Sequence, residues 1–230
     1  MKSINILSFL LVSTTLSLVA FSHEFSISDN NGNIVFPPVL DMDGEYLKID
    51  EEYSIISVLP GGGSVYLANI NNRTECPNDV VLHSSGDFDH STPVLFYTMQ
   101  LGSQFVSEDQ DVSIMFSTSS STKSCFNETV WQAGDYMLGP IHPPPRFVIT
   151  GGTLGIPGPN TLKNWFKIEK YETGRPNSYK LTYCPSKYMC PTCQFDCADV
   201  GLYEDRGYPR LALNNMPYPF VFSKVNKNDA

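Results

Sequence analysis

Short apolar runs recur along nearly the whole chain, each broken within a few residues by Gly, Pro, Asn or Ser. They fall at 53–58, 64–68, 79–83, 94–98, 112–116 and 129–133. They return at 146–150, 164–169, 178–184, 199–203, 210–213 and 220–223. Several alternate, as in Tyr179-Lys-Leu-Thr-Tyr183, which is the pattern of a sheet with one buried face. No stretch of about a dozen residues keeps a helical period without a breaker. The pattern predicts an all-β protein of twelve short strands, a barrel or a sandwich. Val65-Tyr-Leu-Ala-Asn-Ile-Asn71 is echoed by Arg210-Leu-Ala-Leu-Asn-Asn215, and strands open at Tyr53, Val112 and Ser178 with roughly even spacing. That echo favours a threefold barrel.

The first residues follow a different rule. Residues 1–22 carry one charge, Lys2, then a mostly apolar stretch, then small residues around Ala20 and Ser22. This predicts a secretory signal peptide. Residues 23–38 are then an N-terminal extension, 39–225 a single domain and 226–230 a flexible tail. No other stretch is long and apolar enough to span a membrane as a helix. The formal net charge is −9, and removing Lys2 makes it more negative. Such a surface argues against nucleic acid or an anionic membrane as partner. The sequons Asn72-Arg-Thr74 and Asn127-Glu-Thr129 predict glycosylation at Asn72 and Asn127 on a secretory route.

All six cysteines, Cys76, Cys125, Cys184, Cys190, Cys193 and Cys197, follow the leader. Spacing alone does not choose among their pairings. Cys190-Pro-Thr-Cys193 has the form of a metal or redox motif, but an even count in a secreted chain points first to disulfides. The motif sits between turns at Pro185 and Pro191, not at the start of a helix after a strand.

Other chemistries find little support. Pro60-Gly-Gly-Gly-Ser64 lacks the Gly-Lys-Ser/Thr of a phosphate loop and reads as a hairpin turn. His23, His83, His90 and His142 show no metal-ligand spacing. Asp41-Met-Asp-Gly44 reads as a turn and lacks the closing Glu of a calcium loop. No nucleophile pairs with a base, so no enzyme, no cofactor and no metal are expected.

One stretch suggests presentation to a partner. Residues 84–91 are polar and turn-forming, then Thr92-Pro93 leads into Val94-Leu95-Phe96-Tyr97. Pro93 fixes its own φ and pushes Thr92 to an extended conformation. Cys76 stands before this segment and Cys125 after it. A stiff surface loop ending in large apolar side chains is a device for offering residues to another molecule.

The residues resemble the Kunitz-type soybean trypsin inhibitor family of plants. The resemblance opens at Val39-Leu-Asp-Met-Asp-Gly-Glu-Tyr-Leu47 and Tyr53-Ser-Ile55. It continues through Cys76-Pro77, Thr129-Val-Trp131, Trp165-Phe-Lys-Ile-Glu169 and Tyr179-Lys-Leu-Thr-Tyr-Cys184, and closes with Asp199-Val-Gly-Leu202 and Arg210-Leu-Ala-Leu213. Phe147-Val-Ile-Thr-Gly-Gly-Thr153, Gly158-Pro159 and the cysteine cluster resemble the miraculin-like branch. The resemblance implies a β-trefoil, with bridges Cys76–Cys125, Cys184–Cys197 and Cys190–Cys193. It implies an endopeptidase as protein partner. A cysteine used elsewhere in the branch for a covalent dimer is matched by Glu172, so a monomer is expected.

The family places its reactive bond two residues after a loop proline, which here is Leu95–Phe96, within a reactive loop of Thr92, Pro93, Val94 and Tyr97. A Leu where trypsin inhibitors carry Arg or Lys implies a chymotrypsin-like or subtilisin-like target. The alternatives are inhibition of cysteine or aspartic proteases or another hydrolase through a different loop such as residues 141–146, or a non-inhibitory storage, defence or taste-active binding protein. The expected location is outside the cell, in the apoplast, or in the vacuole.

Overall fold

The computed structural model describes residues 27–28, 34–70, 76–83, 91–99, 102–117, 129–136 and 145–226. The expected leader, Asn72, Asn127, Cys125 and the last four residues of the tail lie outside the described residues, as do residues 84–90 and 141–144. Ile27–Ser28 (β1) pairs antiparallel with Ile34–Val35 (β2) as a unit of its own. A second compact unit begins at Phe36.

In that unit the alternating runs form strands where their pattern puts them. Four are β3 (Tyr53–Ser57), β4 (Val65–Ala68), β5 (Asp79–Leu82) and β6 (Val94–Thr98). The next four are β7 (Val112–Phe116), β8 (Val130–Ala133), β9 (Arg146–Gly152) and β10 (Lys167–Lys170). The last are β11 (Tyr179–Tyr183), β12 (Ala198–Asp205), β13 (Tyr208–Asn214) and β14 (Phe220–Lys224). The run at 164–169 starts its strand late, because Leu162–Asn164 forms a single 3-10 turn.

Each group of four closes on itself in the same way. First and fourth strands meet at Tyr53↔Val94, Val112↔Phe166 and Tyr179↔Phe220. Neighbouring groups join through β6–β7, β10–β11 and β14–β3, which completes a six-stranded antiparallel barrel. A closed barrel leaves no edge for unwanted pairing. The second and third strands form hairpins β4–β5, β8–β9 and β12–β13. These meet in a triangle at Asp79↔Ile149, Arg210↔Val81 and Ala212↔Phe147. The architecture is the β-trefoil.

The core fills the barrel with aromatic rings packed edge to face or tilted. Trp131 packs on Phe116 and Phe166, Phe166 on Tyr183, and Phe222 on Phe96 and Tyr179. Such pairs add about 0.5–1.5 kcal/mol each beyond the area they bury. The phenols at the barrel mouth tie down the incoming chain. The Leu40 N–H donates to the Tyr179 hydroxyl at 2.9 Å and the Lys48 N–H to that of Tyr53 at 3.0 Å. Burial raises the pKa of both phenols above the ordinary tyrosine value.

The triangle is fastened by one buried cation. Arg210 bonds Asp79 at 2.6 Å and Asp205 at 2.9 Å, and its guanidinium stacks 3.8 Å from the Phe147 ring. One side chain therefore links the three hairpins. The β12–β13 connection is a two-residue turn with φ of 56° at Arg206 and 85° at Gly207. Positive φ at both central residues matches the right-handed twist of the flanking strands.

Candidate functional site

The predicted reactive segment lies in a paired strand. Residues 94–98 are strand β6, paired along their length with β7: Val94 opposite Phe116, Leu95 opposite Met115, Phe96 opposite Ile114. Val94 and Phe96 are fully buried, and the Phe96 ring lies 5.5 Å from Phe222 and 6.2 Å from Tyr53. The Leu95–Phe96 bond, expected as the reactive bond, therefore lies within the β6–β7 ladder with the Phe96 side chain in the core. Presenting that bond to another protein's cleft would require β6 to part from β7 and Phe96 to leave the core.

The polar residues just before it are pinned as well. Ser91 Oγ lies 2.7 Å from Ser54 Oγ. The Thr92 N–H donates to Val65 O, and Thr92 Oγ1 accepts from the Leu67 N–H at 3.1 Å. The Ser117 N–H donates to Pro93 O at 2.7 Å. Thr92 and Pro93 are half-buried, and so are Leu95 and Tyr97 on the outer face of β6. Leu95 borders a cavity of ≈ 460 Å³ with Asp50, Glu51, Glu52 and Lys224. Burial, with Asp50 nearby, raises the Tyr97 pKa.

The cysteine cluster is placed in full. Cys184 is bonded to Cys197 and Cys190 to Cys193, with Cα–Cα distances of 4.5 and 5.3 Å. Cys76 is also disulfide-bonded. Asp41 Oδ1 accepts from the Asp43 and Glu45 N–H groups at 3.0 and 2.9 Å, so this acidic run is a turn, completed by Gly44 at φ 82°.

Among the described residues, the two most exposed large apolar side chains lie elsewhere. Ile156 is 83% exposed and Tyr188 89% exposed, each on a loop tied to the same small apolar cluster. That cluster joins Leu162 and Trp165, after the first loop, to Met189, Cys190, Cys193 and Phe195 of the second. The 153–161 loop is braced from within. Thr161 Oγ1 donates to Ile156 O at 2.9 Å, and the Thr161 N–H donates to Gly158 O at 3.2 Å. Asn164, only 2% exposed, donates its side-chain N–H to Thr153 O at 2.7 Å, while its own carbonyl accepts from Ser113 Oγ.

A cleft of ≈ 250 Å³ runs beside this loop, between Pro159, Leu162, Tyr136, Arg146 and Phe195. The Arg146 guanidinium sits 4.8 Å from the Tyr136 ring and 5.1 Å from that of Tyr183, and its Nε–H donates to Gly134 O at 2.8 Å. Burial raises the Tyr183 pKa, with Arg146 opposing. At the rim a hydrogen bond from Lys163 holds the Asp135 carboxyl below the usual carboxylate range.

Sequence reading passed over Ile156, Tyr188 and Asn164. A signal was present in Ile156-Pro157-Gly158-Pro159, an apolar residue among breakers that deny it a strand.

Among solved structures, a Kunitz-type cysteine protease inhibitor from potato aligns over 84% of this chain and 100% of its own, with 73% sequence identity and a TM-score of 0.76. Cysteine protease inhibitor 8 of Solanum tuberosum is 38% identical over 97% of this chain and 99% of its own. Miraculin of Synsepalum dulcificum is 36% identical, covering 95% of each chain. Residues 39–224 match the family described as trypsin and protease inhibitor, Kunitz legume type, so the chain belongs to the Kunitz protease inhibitors of plants.

Proposed function

We propose that this protein inhibits cysteine endopeptidases, by offering an exposed, internally braced loop to the substrate cleft. The observation that carries the reading is its 73% identity, over the full length of that chain, to the potato cysteine protease inhibitor. Burial of Phe96 and the pairing of β6 support it from the other side, since Leu95 sits in a ladder and not on a free loop. Braced loops suit the task, because little conformational freedom is lost on binding. Passage through a secretory route, with glycans on Asn72 and Asn127, goes with this reading.

An inhibition panel of the purified mature protein tests it. A papain-type cysteine endopeptidase should be inhibited at near-stoichiometric ratios, with chymotrypsin, subtilisin, trypsin and an aspartic endopeptidase affected less. Stronger inhibition of chymotrypsin or subtilisin would restore the serine-protease reading. Inactivity against the whole panel would leave a storage or binding role.

A further inference from the structure

We infer that the 153–161 loop is the segment that enters the target's substrate cleft, and that Ile156 is the side chain filling an apolar specificity pocket there. The inference rests on the reading of the chain as an endopeptidase inhibitor and adds the site. A single exposed apolar residue is ordinary on a protein surface, so the exposure of Ile156 alone decides nothing. What distinguishes Ile156 is how it is held. Pro157 and Pro159 fix φ on either side of Gly158, and Thr161 closes the turn onto the carbonyls of Ile156 and Gly158. Asn164 is buried beneath and holds Thr153 O. The loop is thereby fixed at its start, its tip and its end.

The same bonds give the loop a second property that an inhibitor needs. A protease cleaves by attack on a carbonyl whose oxygen moves into a set of donors as it becomes negative. The Ile156 carbonyl already accepts a hydrogen bond from Thr161. The bond that follows it joins Pro157, a tertiary amide without an N–H. The cleft would therefore hold a segment shaped as substrate but poorly set up for cleavage. Tyr188, on the loop closed by Cys184–Cys197, is a second exposed apolar side chain, next to Met189 of the cluster that also holds Leu162.

The test uses the full mature protein as wild type, Ile156→Glu, Ile156→Leu and Tyr188→Ala, titrated against a papain-type cysteine endopeptidase and against chymotrypsin. Thermal midpoints and circular dichroism are recorded for each. Ile156→Glu should weaken inhibition by about 10- to 100-fold, the range set by burying one branched aliphatic side chain. Ile156→Leu should stay within about tenfold of wild type, since it keeps apolar volume. Midpoints should not move, and the inhibitor should be recovered uncleaved after long incubation. Wild-type inhibition of the cysteine endopeptidase with an equally active Ile156→Glu would overturn the loop assignment and leave the proposed function standing. Wild-type inhibition of chymotrypsin alone, lost in Ile156→Glu, would keep the loop and overturn the cysteine class. Inactivity of the wild type on both enzymes, or self-association that only Ile156→Glu abolishes, would overturn the site.

Discussion

Two of the segments that set a proline beside large apolar residues end in opposite environments. Thr92-Pro93-Val94-Leu95-Phe96 carries its proline before the apolar run, and Val94 and Phe96 reach the barrel core. Gly155-Ile156-Pro157-Gly158-Pro159 carries prolines after and beyond its apolar residue, and Ile156 faces solvent. A proline at the entry to a strand costs no ladder bond and aims the chain as extended backbone. Prolines inside the segment remove donors at successive points, so the segment cannot join a sheet. Stiffness is common to both. Only the second combines it with denial of pairing, which is the condition for presenting a side chain.

The largest effect that tests this contrast is on stability. Phe96→Ala removes a fully buried ring from the Tyr53–Phe222 contact and should cost about 3–5 kcal/mol in denaturant unfolding. Ile156→Ala should stay within about 0.5 kcal/mol of wild type. Equal losses at the two positions would mean that Ile156 is packed and the contrast is false.

Much of the fold could be read from the sequence, because a period of two is a local property. All twelve runs became strands, and the Tyr179–Tyr183 alternation kept its buried face. The closing pairs Tyr53↔Val94, Val112↔Phe166 and Tyr179↔Phe220 were legible only as a faint repeat, since they join strands far apart in the chain. The candidate site meets a related limit. Residues 94–98 were recognised both as a strand and as the tip of a loop, and nothing local decides which of two roles the barrel will impose. Gly158-Pro159 is legible in the sequence only as a mark of resemblance. Its role in holding Ile156 depends on Asn164, whose burial under the loop is a tertiary fact.

A middle-sized effect probes that brace. Asn164→Ala removes the bond to Thr153 O and leaves a cavity under the loop. Losing a buried side-chain hydrogen bond with an orphaned partner costs about 1–3 kcal/mol. The sharper readout is local. With the start of the loop released, limited proteolysis with a broad-specificity protease should nick residues 153–161 in Asn164→Ala and spare them in wild type. A variant that resists as wild type does would show that the prolines and Thr161 hold the loop without Asn164, and the brace would have to be redrawn.

The smallest effect bears on the other segment. Leu95 is half-buried on the outer face of β6, at a cavity edged by Asp50, Glu51 and Glu52. Leu95→Arg places a guanidinium beside these carboxylates, one of which, Glu51, already pairs with Lys224. Long cationic side chains lie along such a surface with the stem covered and the head in water, so the cost should be below about 1 kcal/mol. Were Leu95 the residue read by a protease, the same change would create a trypsin inhibitor, because a trypsin pocket demands a cation at that position. The pairing of β6 with β7 predicts that it does not, since Leu95 and its partner Met115 stay in one ladder whatever the side chain. Trypsin should therefore be as insensitive to Leu95→Arg as to wild type, with inhibition of the cysteine endopeptidase unchanged. Trypsin inhibition appearing in this variant would require β6 to leave the barrel on binding, with Phe96 drawn out of the core, and the line drawn between the two segments would no longer separate structure from function.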